Sequence, residues 1–120
     1  MPLRVGIDLV KASTIAEALA EHGERYLERV YTAAERENCG GDPLRLAARF
    51  AAKEAAMKVL APDRDTAVPW PDIEIVRTGA APELRLHGRA AQLADAAGLT
   101  AFALSFTHED GYAAAVVVGT

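Results

Sequence analysis

The sequence lacks several features that would point to a secreted, membrane or nucleic-acid-binding protein. Its single cysteine, Cys39, excludes an internal disulfide and fits a protein of the reducing cytoplasm. No apolar run follows a basic start, so we expect neither a signal peptide nor a membrane span. The net charge of −4 argues against a nucleic-acid partner, which usually requires a basic surface.

The remaining composition is typical of a soluble globular protein. Hydrophobic residues make up 51% and charged residues 25% of the 120 positions. This length suits a single domain over residues 1–120. No metal-ligand cluster surrounds Cys39, so we interpret its thiol as incidental within the 38–41 loop.

A long alanine-rich segment predicts the main helix. Asp42 is a capping residue, and Pro43 suits the first helical position. Pro62 cannot continue a helix, so we expect this one to end at Ala61.

This helix carries strong charges at its centre. Glu54 falls on a face otherwise formed by small apolar residues and Phe50, where a carboxylate is costly to bury without a positive partner. One interpretation is an i,i+4 ion pair with Lys58, worth only about 0.2–0.5 kcal/mol. The other is a functional carboxylate.

The N-terminal segment, residues 3–10, predicts a strand with two different faces. One face carries Leu3, Val5, Ile7 and Leu9. The other face carries Arg4, Gly6, Asp8 and Val10. Glycine inside a strand often marks a place where a ligand or another backbone comes close. An acid beside such a gap could hold a hard cation through oxygen ligands, completed by a substrate phosphate. The alternative is that Asp8 merely ends the strand or caps the next element of the chain.

The other elements predict an α/β (α+β) fold with a largely antiparallel sheet packed on the long helix. A helix begins at Ser13 or Thr14 and reaches about residue 22, residues 26–30 are ambiguous, and Thr32 caps a helical turn through Arg36. The remaining elements are a loop over 63–72, a hairpin of 73–77 and 83–87, a helix over 88–97, and a hairpin of 101–106 and 112–118 with its turn at 108–111.

Four segments occur in a characteristic order: Gly6-Ile7-Asp8-Leu9, Arg49-Phe50-Ala51-Ala52-Lys53-Glu54-Ala55, Asp72-Ile73-Glu74-Ile75 and Ser105-Phe106-Thr107-His108. In this order they resemble the holo-(acyl carrier protein) synthases, which are small stand-alone 4′-phosphopantetheinyl transferases. The resemblance covers nearly the whole chain. It implies the 4′-phosphopantetheinyl transferase fold of the single-unit type, assembled as a homotrimer with shared active sites. The alternative is an unrelated small oligomeric domain with chance matches.

The resemblance also implies a reaction. The phosphopantetheine arm of coenzyme A would pass to a serine hydroxyl of an apo acyl carrier protein, releasing 3′,5′-ADP. Asp8 and Glu54 would bind Mg²⁺, which bridges to the pyrophosphate, and Lys58 would act with them and contact the phosphates. Either Glu54 or a water on the metal would accept the serine proton. The water is favoured because a carboxylate that already holds Mg²⁺ is a poor base.

Further residues are candidates for binding coenzyme A. Arg45, Arg49 and Lys53 form a basic i,i+4 stripe, which either binds phosphate groups or is solvated. In the family the Thr-His of the last hairpin, here Thr107 and His108, contacts the nucleotide end.

The loop over residues 61–67 departs from the family pattern. Members commonly have a glycine-rich turn there, whose N–H groups approach the pyrophosphate, but this chain has no glycine in it. Arg64 could substitute by its charge, whereas Asp63 and Asp65 would oppose an anion. The alternative function is therefore a catalytically weak relative that binds coenzyme A or a carrier without efficient turnover.

The expected macromolecular partner is an acidic carrier protein. Residues 1–58 hold nine Lys/Arg and nine Asp/Glu, while residues 59–120 hold four and eight, so docking on the first half is favoured. Lys11, Arg25 and Arg29 could supply the docking face by electrostatic steering. The family usually has further basic residues on the first helix, where this chain has Ser13, Thr14 and Glu17.

Overall fold

The long helix α4 (Pro43–Leu60) organises the protein, whose computed structural model describes residues 2–120. The other elements, in chain order, are β1 (Arg4–Lys11), α1 (Ala12–His22), α2 (Glu24–Val30), α3 (Ala33–Cys39), a 3₁₀ turn (Trp70–Asp72), β2 (Ile73–Val76), β3 (Glu83–Leu86), α5 (Gly88–Ala96), β4 (Phe102–Glu109) and β5 (Tyr112–Gly119). All strand pairs are antiparallel, which confirms the predicted α+β class. They form two sheets, β1-β5-β4 and β2-β3.

The ends of α4 follow from the local sequence. The Asp42 carboxylate accepts a hydrogen bond from the Leu44 N–H at 3.0 Å, and Pro43 takes the first turn as predicted. The helix ends one residue earlier than expected, because Ala61 adopts a left-handed conformation with φ of 48°. Alanines on α4 are almost fully buried, so strands can pack close to the helix axis.

Within residues 2–120, only one face of the three-stranded sheet is covered. Alternate residues Ala113, Ala115 and Val117 of β5 are buried beneath α4. On β1, the residues packed towards α4 are the polar and glycine-containing set, while Leu3, Val5, Ile7 and Leu9 are 63–76% exposed. An apolar sheet face of this kind is typical of an interaction surface.

The structure corrects two sequence interpretations and resolves one ambiguity. Residues 26–30, which the sequence pattern does not assign, belong to helix α2. Cys39 is the buried last residue of α3 rather than part of a loop. His108 lies within β4 rather than in the turn, because Asp110 and Gly111 alone close the hairpin with φ of 51° and 76°, as a two-residue turn of type I′ requires.

A buried ion pair joins four elements. The Glu35 carboxylate completes the capping box of α3, accepting from the Thr32 N–H at 2.8 Å. Its other oxygen accepts from the Ile75 N–H at 2.8 Å. The Lys53 ammonium lies 2.8 Å from Glu35 and donates to the carbonyl of Ile73 at 2.6 Å. A further bond from Lys53 reaches the Trp70 carbonyl at 3.2 Å.

This environment shows that the prediction of Lys53 as a coenzyme A ligand is wrong. Its side chain is 0% exposed, and its donors are directed at protein oxygens. Burial lowers the pKa of Lys53, against the opposing effect of the Glu35 carboxylate. Lys53 therefore fixes the rotation of α4 rather than contributing to a solvated basic stripe. No helix among residues 2–120 combines the length and apolar character that crossing a membrane requires.

We predict that Lys53→Ala destabilises the fold strongly. Removing one partner of a buried ion pair leaves an uncompensated charge and costs about 3–5 kcal/mol. Urea denaturation should show a loss of this size in the free energy of unfolding. Arg45→Ala is the control, because Arg45 is exposed on the same helix and should change it by less than about 0.5 kcal/mol. A loss below about 1 kcal/mol for Lys53→Ala would contradict the proposed role.

Candidate active site

Gly6 brings two distant carboxylates together. A Cβ atom at Gly6 would lie 2.0 Å from the carbonyl oxygen of Ala55, so the backbone of β1 lies directly against α4. Of the two possibilities raised by a glycine in this strand, the close neighbour is therefore another backbone. Two residues after Gly6, Asp8 reaches the part of α4 that carries Glu54 and Lys58.

Asp8 and Lys58 both affect the ionisation of Glu54. Partial burial raises the pKa of Glu54, the negative charge of Asp8 raises it further, and Lys58 lowers it. Two like charges held at one place are costly unless a cation joins them.

The carboxylate pair fits Mg²⁺ in one specific way. Between Pro2 and Thr120, no three His, Cys, Asp or Glu side chains are grouped so as to enclose a metal ion. Mg²⁺ commonly binds through one or two carboxylates and completes its octahedron with waters and substrate phosphates. Asp8 and Glu54 therefore suit a metal that arrives with, or is completed by, a phosphate ligand.

Lys58 faces β1 rather than its helical neighbour. Its ammonium donates to the carbonyl of Ile7 at 2.7 Å and lies 3.4 Å from Oδ1 of Asp8. The i,i+4 ion pair with Glu54 that helix spacing predicts is thus wrong, because Asp8 is the carboxylate that Lys58 contacts. The three candidate catalytic residues do lie together, with an exposed cation beside two acids.

A second region, which we call the arginine groove, has a volume of about 690 Å³. Its lining includes the predicted coenzyme A ligands Arg49, Thr107 and His108, which are far apart in sequence. Arg45 also lines the groove and lies 3.7 Å from Asp42. The groove contains one further cation, Arg77, which sequence reasoning missed because it follows a short strand and belongs to none of the recognised motifs.

Two guanidinium groups of the groove lie within cation–π distance of one aromatic ring. Arg49 is only 5% exposed, donates to the side-chain oxygen of Asn38, and lies 5.2 Å from the ring centroid of Phe106. Arg77 lies 5.6 Å from the same ring. Such cation–π contacts orient a guanidinium without neutralising it.

Within residues 2–120, no hydrogen bond or ion pair joins Arg64 to the carboxylate pair or to the arginine groove. It is exposed, lines neither the arginine groove nor the other described cavities, and makes no side-chain hydrogen bond within residues 2–120. Its loop is instead closed by Asp63, whose carboxylate accepts from the Asp65 N–H at 3.1 Å and the Thr66 hydroxyl at 2.8 Å. Asp63 thus stabilises this glycine-free turn through two side-chain hydrogen bonds.

The proposed docking residues are all exposed. Arg25 and Arg29 lie together on α2 and line a shallow cavity of about 200 Å³ with His22. Lys11 lies at the junction of β1 and α1, with its ammonium 5.7 Å from the ring centroid of Tyr112. The structure therefore brings two of the three into one cluster.

Comparisons with known proteins show which family the chain resembles in sequence and in fold. The sequence profile of the 4′-phosphopantetheinyl transferase superfamily matches residues 4–117. The holo-[acyl-carrier-protein] synthase of Koribacter versatilis is 42% identical over 122 residues, covering 98% of each chain. The structure of the Helicobacter pylori holo-[acyl-carrier-protein] synthase in complex with coenzyme A superimposes with a TM-score of 0.87 at 28% identity, covering 98% of this chain and 100% of that one. An ACPS–CoA complex from Chronobacterium ammoniagenes gives 0.86 at 30% identity, covering 99% and 97%.

We predict that Gly6→Ala lowers the stability of the fold by at least about 2 kcal/mol, because the added methyl group forces β1 away from α4. Chemical denaturation measures this loss. Gly79→Ala is the matched control, since nothing lies within 4 Å of a Cβ at that position. Equal stability of the two variants would show that the close approach of strand and helix is not required.

We predict that Glu54→Gln stabilises the metal-free protein at pH 7 by up to about 1 kcal/mol. The pKa of Glu54 is raised above 4.5 in the folded protein, so ionisation of its carboxylate weakens folding as pH rises through the folded pKa. Below the unfolded pKa both states are protonated, and the gain should vanish. Urea denaturation in EDTA between pH 3.5 and 8 tests this, with the exposed Glu37→Gln as control. A gain that is independent of pH, or a loss at pH 7, would refute it.

Proposed function

This chain belongs to the 4′-phosphopantetheinyl transferase superfamily, and from this we propose that it acts as a holo-[acyl-carrier-protein] synthase. It transfers the phosphopantetheine arm of coenzyme A to a serine hydroxyl of an apo acyl carrier protein. The observation that carries the proposal is the convergence of Asp8, Glu54 and Lys58 where β1 lies against α4.

The reaction is a phosphoryl transfer, which requires mainly positioning and charge neutralisation. The serine oxygen attacks the β-phosphorus of coenzyme A, the bond from that phosphorus to the bridging oxygen breaks, and 3′,5′-ADP leaves with that oxygen. Mg²⁺ held by Asp8 and Glu54 would neutralise charge on the pyrophosphate. Lys58 supplies a second cation from the same side, and its bond to the Ile7 carbonyl holds the ammonium at the edge of the pair.

Arg49, Thr107 and His108 bind the nucleotide end of coenzyme A in the arginine groove. Arg49 and Glu54 are five residues apart on α4, so they point about 140° away from each other around the helix. The groove and the carboxylate pair of one chain therefore face different directions, which favours an active site shared between neighbouring subunits.

We further propose that the protein is a homotrimer. The uncovered sheet face, with Val5, Ile7 and Leu9 exposed by 63–68%, supplies the apolar surface that such an assembly would bury. The free and buried Cys39 is consistent with a cytoplasmic location.

The carrier protein docks on the basic side chains of the first half of the chain. Arg25 and Arg29 are exposed on α2, and Lys11 is exposed at the end of the strand that carries Asp8. A positive docking surface accelerates encounter with an acidic partner and makes the rate dependent on salt.

The alternative of a weak relative that binds without efficient turnover rests on the loop after α4. Ala61 takes a left-handed conformation there, and the carboxylate of Asp63 closes the turn. If this loop cannot receive the pyrophosphate, coenzyme A would still occupy the arginine groove but the arm would not be transferred.

We predict a mass gain of one phosphopantetheine arm when an apo acyl carrier protein is incubated with this chain, coenzyme A and Mg²⁺. EDTA should abolish the gain. Asp8→Ala and Glu54→Ala should each slow it by about 10³-fold or more, because the electrostatic stabilisation they anchor is worth several kcal/mol. Intact-protein mass spectrometry measures the rate, with Glu37→Gln as the surface control.

The outcomes separate the candidate functions. No transfer to any of several carriers, together with coenzyme A binding in calorimetry, would favour the binding-only alternative. Neither transfer nor binding by the folded protein would contradict both functions and leave an unrelated domain as the explanation.

A further inference from the structure

Helix α2, which carries Arg25 and Arg29, is short and has short connections on both sides. It contains seven residues. Gly23, with φ of 55°, joins it to α1, and Tyr31 and Thr32 separate it from α3. A helix of two turns has little stability of its own and depends on packing against the rest of the fold. The side chains of α2 therefore set its direction.

Two tyrosines connect α2 to the long helix α4. The hydroxyl groups of Tyr26 and Tyr31 lie 3.0 Å apart, and the Tyr31 hydroxyl donates to the Leu46 carbonyl at 3.0 Å. Because a hydroxyl has one proton to donate, Tyr31 accepts from Tyr26. Burial raises the pKa of Tyr31 well above its usual range, so its hydroxyl remains a donor at physiological pH. We call these two hydrogen bonds the tyrosine link.

The tyrosine link joins the proposed docking surface to the helix of the carboxylate pair. At one end, Tyr26 lines the shallow cavity together with Arg25 and Arg29. At the other end, Leu46 belongs to α4, which also carries Glu54. The link therefore constrains the direction of the two arginines relative to the carboxylate.

The two hydroxyl groups are not needed to fill the core. The rings already meet edge to face, with centroids 5.7 Å apart. Replacing both partners of a buried hydrogen bond by apolar groups of the same shape is nearly neutral for stability. Tyr31 is 2% exposed, so its hydroxyl cannot touch a partner protein. A hydrogen bond adds direction to the contact, because it weakens steeply when the angle at the donor is bent.

We propose that Tyr31 is a positioning residue for the carrier protein, acting through Tyr26 on the direction in which Arg25 and Arg29 meet acidic side chains of the partner. The inference rests on the proposed transfer function and adds to it a buried residue that contacts neither substrate. A serine on a carrier held by α2 reaches the carboxylate pair only if α2 and α4 keep a fixed relation. The tyrosine link supplies that relation and leaves the binding of coenzyme A unaffected.

The test separates the two substrates in the mass-spectrometric transfer assay. Tyr31→Phe should raise the KM for the apo carrier by about fivefold, as expected for one lost hydrogen bond, and leave kcat and the KM for coenzyme A within about twofold of wild type. Tyr26→Phe should give the same result. A merely destabilised protein would instead contain less active enzyme, which lowers the apparent kcat and leaves both KM values unchanged.

Two further variants show whether the effect passes through the arginines. Tyr112→Phe removes the same hydroxyl from an exposed tyrosine of β5, outside the tyrosine link, and should leave both KM values unchanged. In a protein that carries Arg25→Gln and Arg29→Gln, Tyr31→Phe should change the KM for the carrier by less than about twofold, because the effects of residues that act together do not add. Calorimetry with the apo carrier in EDTA repeats the comparison without catalysis.

Each outcome decides the inference separately from the function. An unchanged KM for the carrier in Tyr31→Phe, an equal rise in both KM values, or a full effect in the protein without the two arginines would show that the assignment of Tyr31 is wrong while the transferase function stands. If Tyr31→Phe does not fold, Tyr26→Phe gives the same decision, because Tyr26 is only partly buried. If the folded wild type transfers the arm to no carrier, the function fails and the inference fails with it.

Discussion

The contact between Gly6 and the backbone of Ala55 is the constraint on which the rest of the structure depends. Because no side chain separates β1 from α4 at this point, strand and helix approach more closely than ordinary packing allows. Asp8, Glu54 and Lys58 then meet without any loop to bring them together. Their geometry is therefore set by rigid elements, which suits chemistry that works by positioning.

The buried pair of Lys53 and Glu35 sets the other degree of freedom, the rotation of α4. Adjacent charged residues on this helix differ in burial, since Lys53 is fully buried whereas Glu54 is partly exposed. A helix with alanine on most of its buried positions has few bulky side chains to define its orientation. The hydrogen-bonded ammonium of Lys53 supplies that definition, and with it the different directions in which Arg49 and Glu54 point.

Local rules predicted those parts of the molecule that local forces determine. The Asp42 cap, the Thr32 cap and the alternation of β1 follow from short-range chemistry, and the sequence motifs identified Asp8 and Glu54 as a pair. Lys53 was misjudged because lysine is rarely buried, and its partner Glu35 is recognisable only once α3 is packed against α4. The place of Arg77 in the arginine groove was not predicted for a related reason, because its contact is with a ring on β4 that no spacing along the chain relates to it.

The pairing of β1 with β5 has a consequence for how the protein folds. Arg4 lies opposite Gly119, so within residues 2–120 the strand that carries Asp8 pairs with a strand at the far end of the sequence. Contacts of such long sequence separation require closing a large loop before they contribute, which slows folding. The helix–strand contact at Gly6 spans a much shorter segment and can form first. We therefore expect Asp8 and Glu54 to be brought together on a helix–strand nucleus, with the sheet completed only when the last strand pairs.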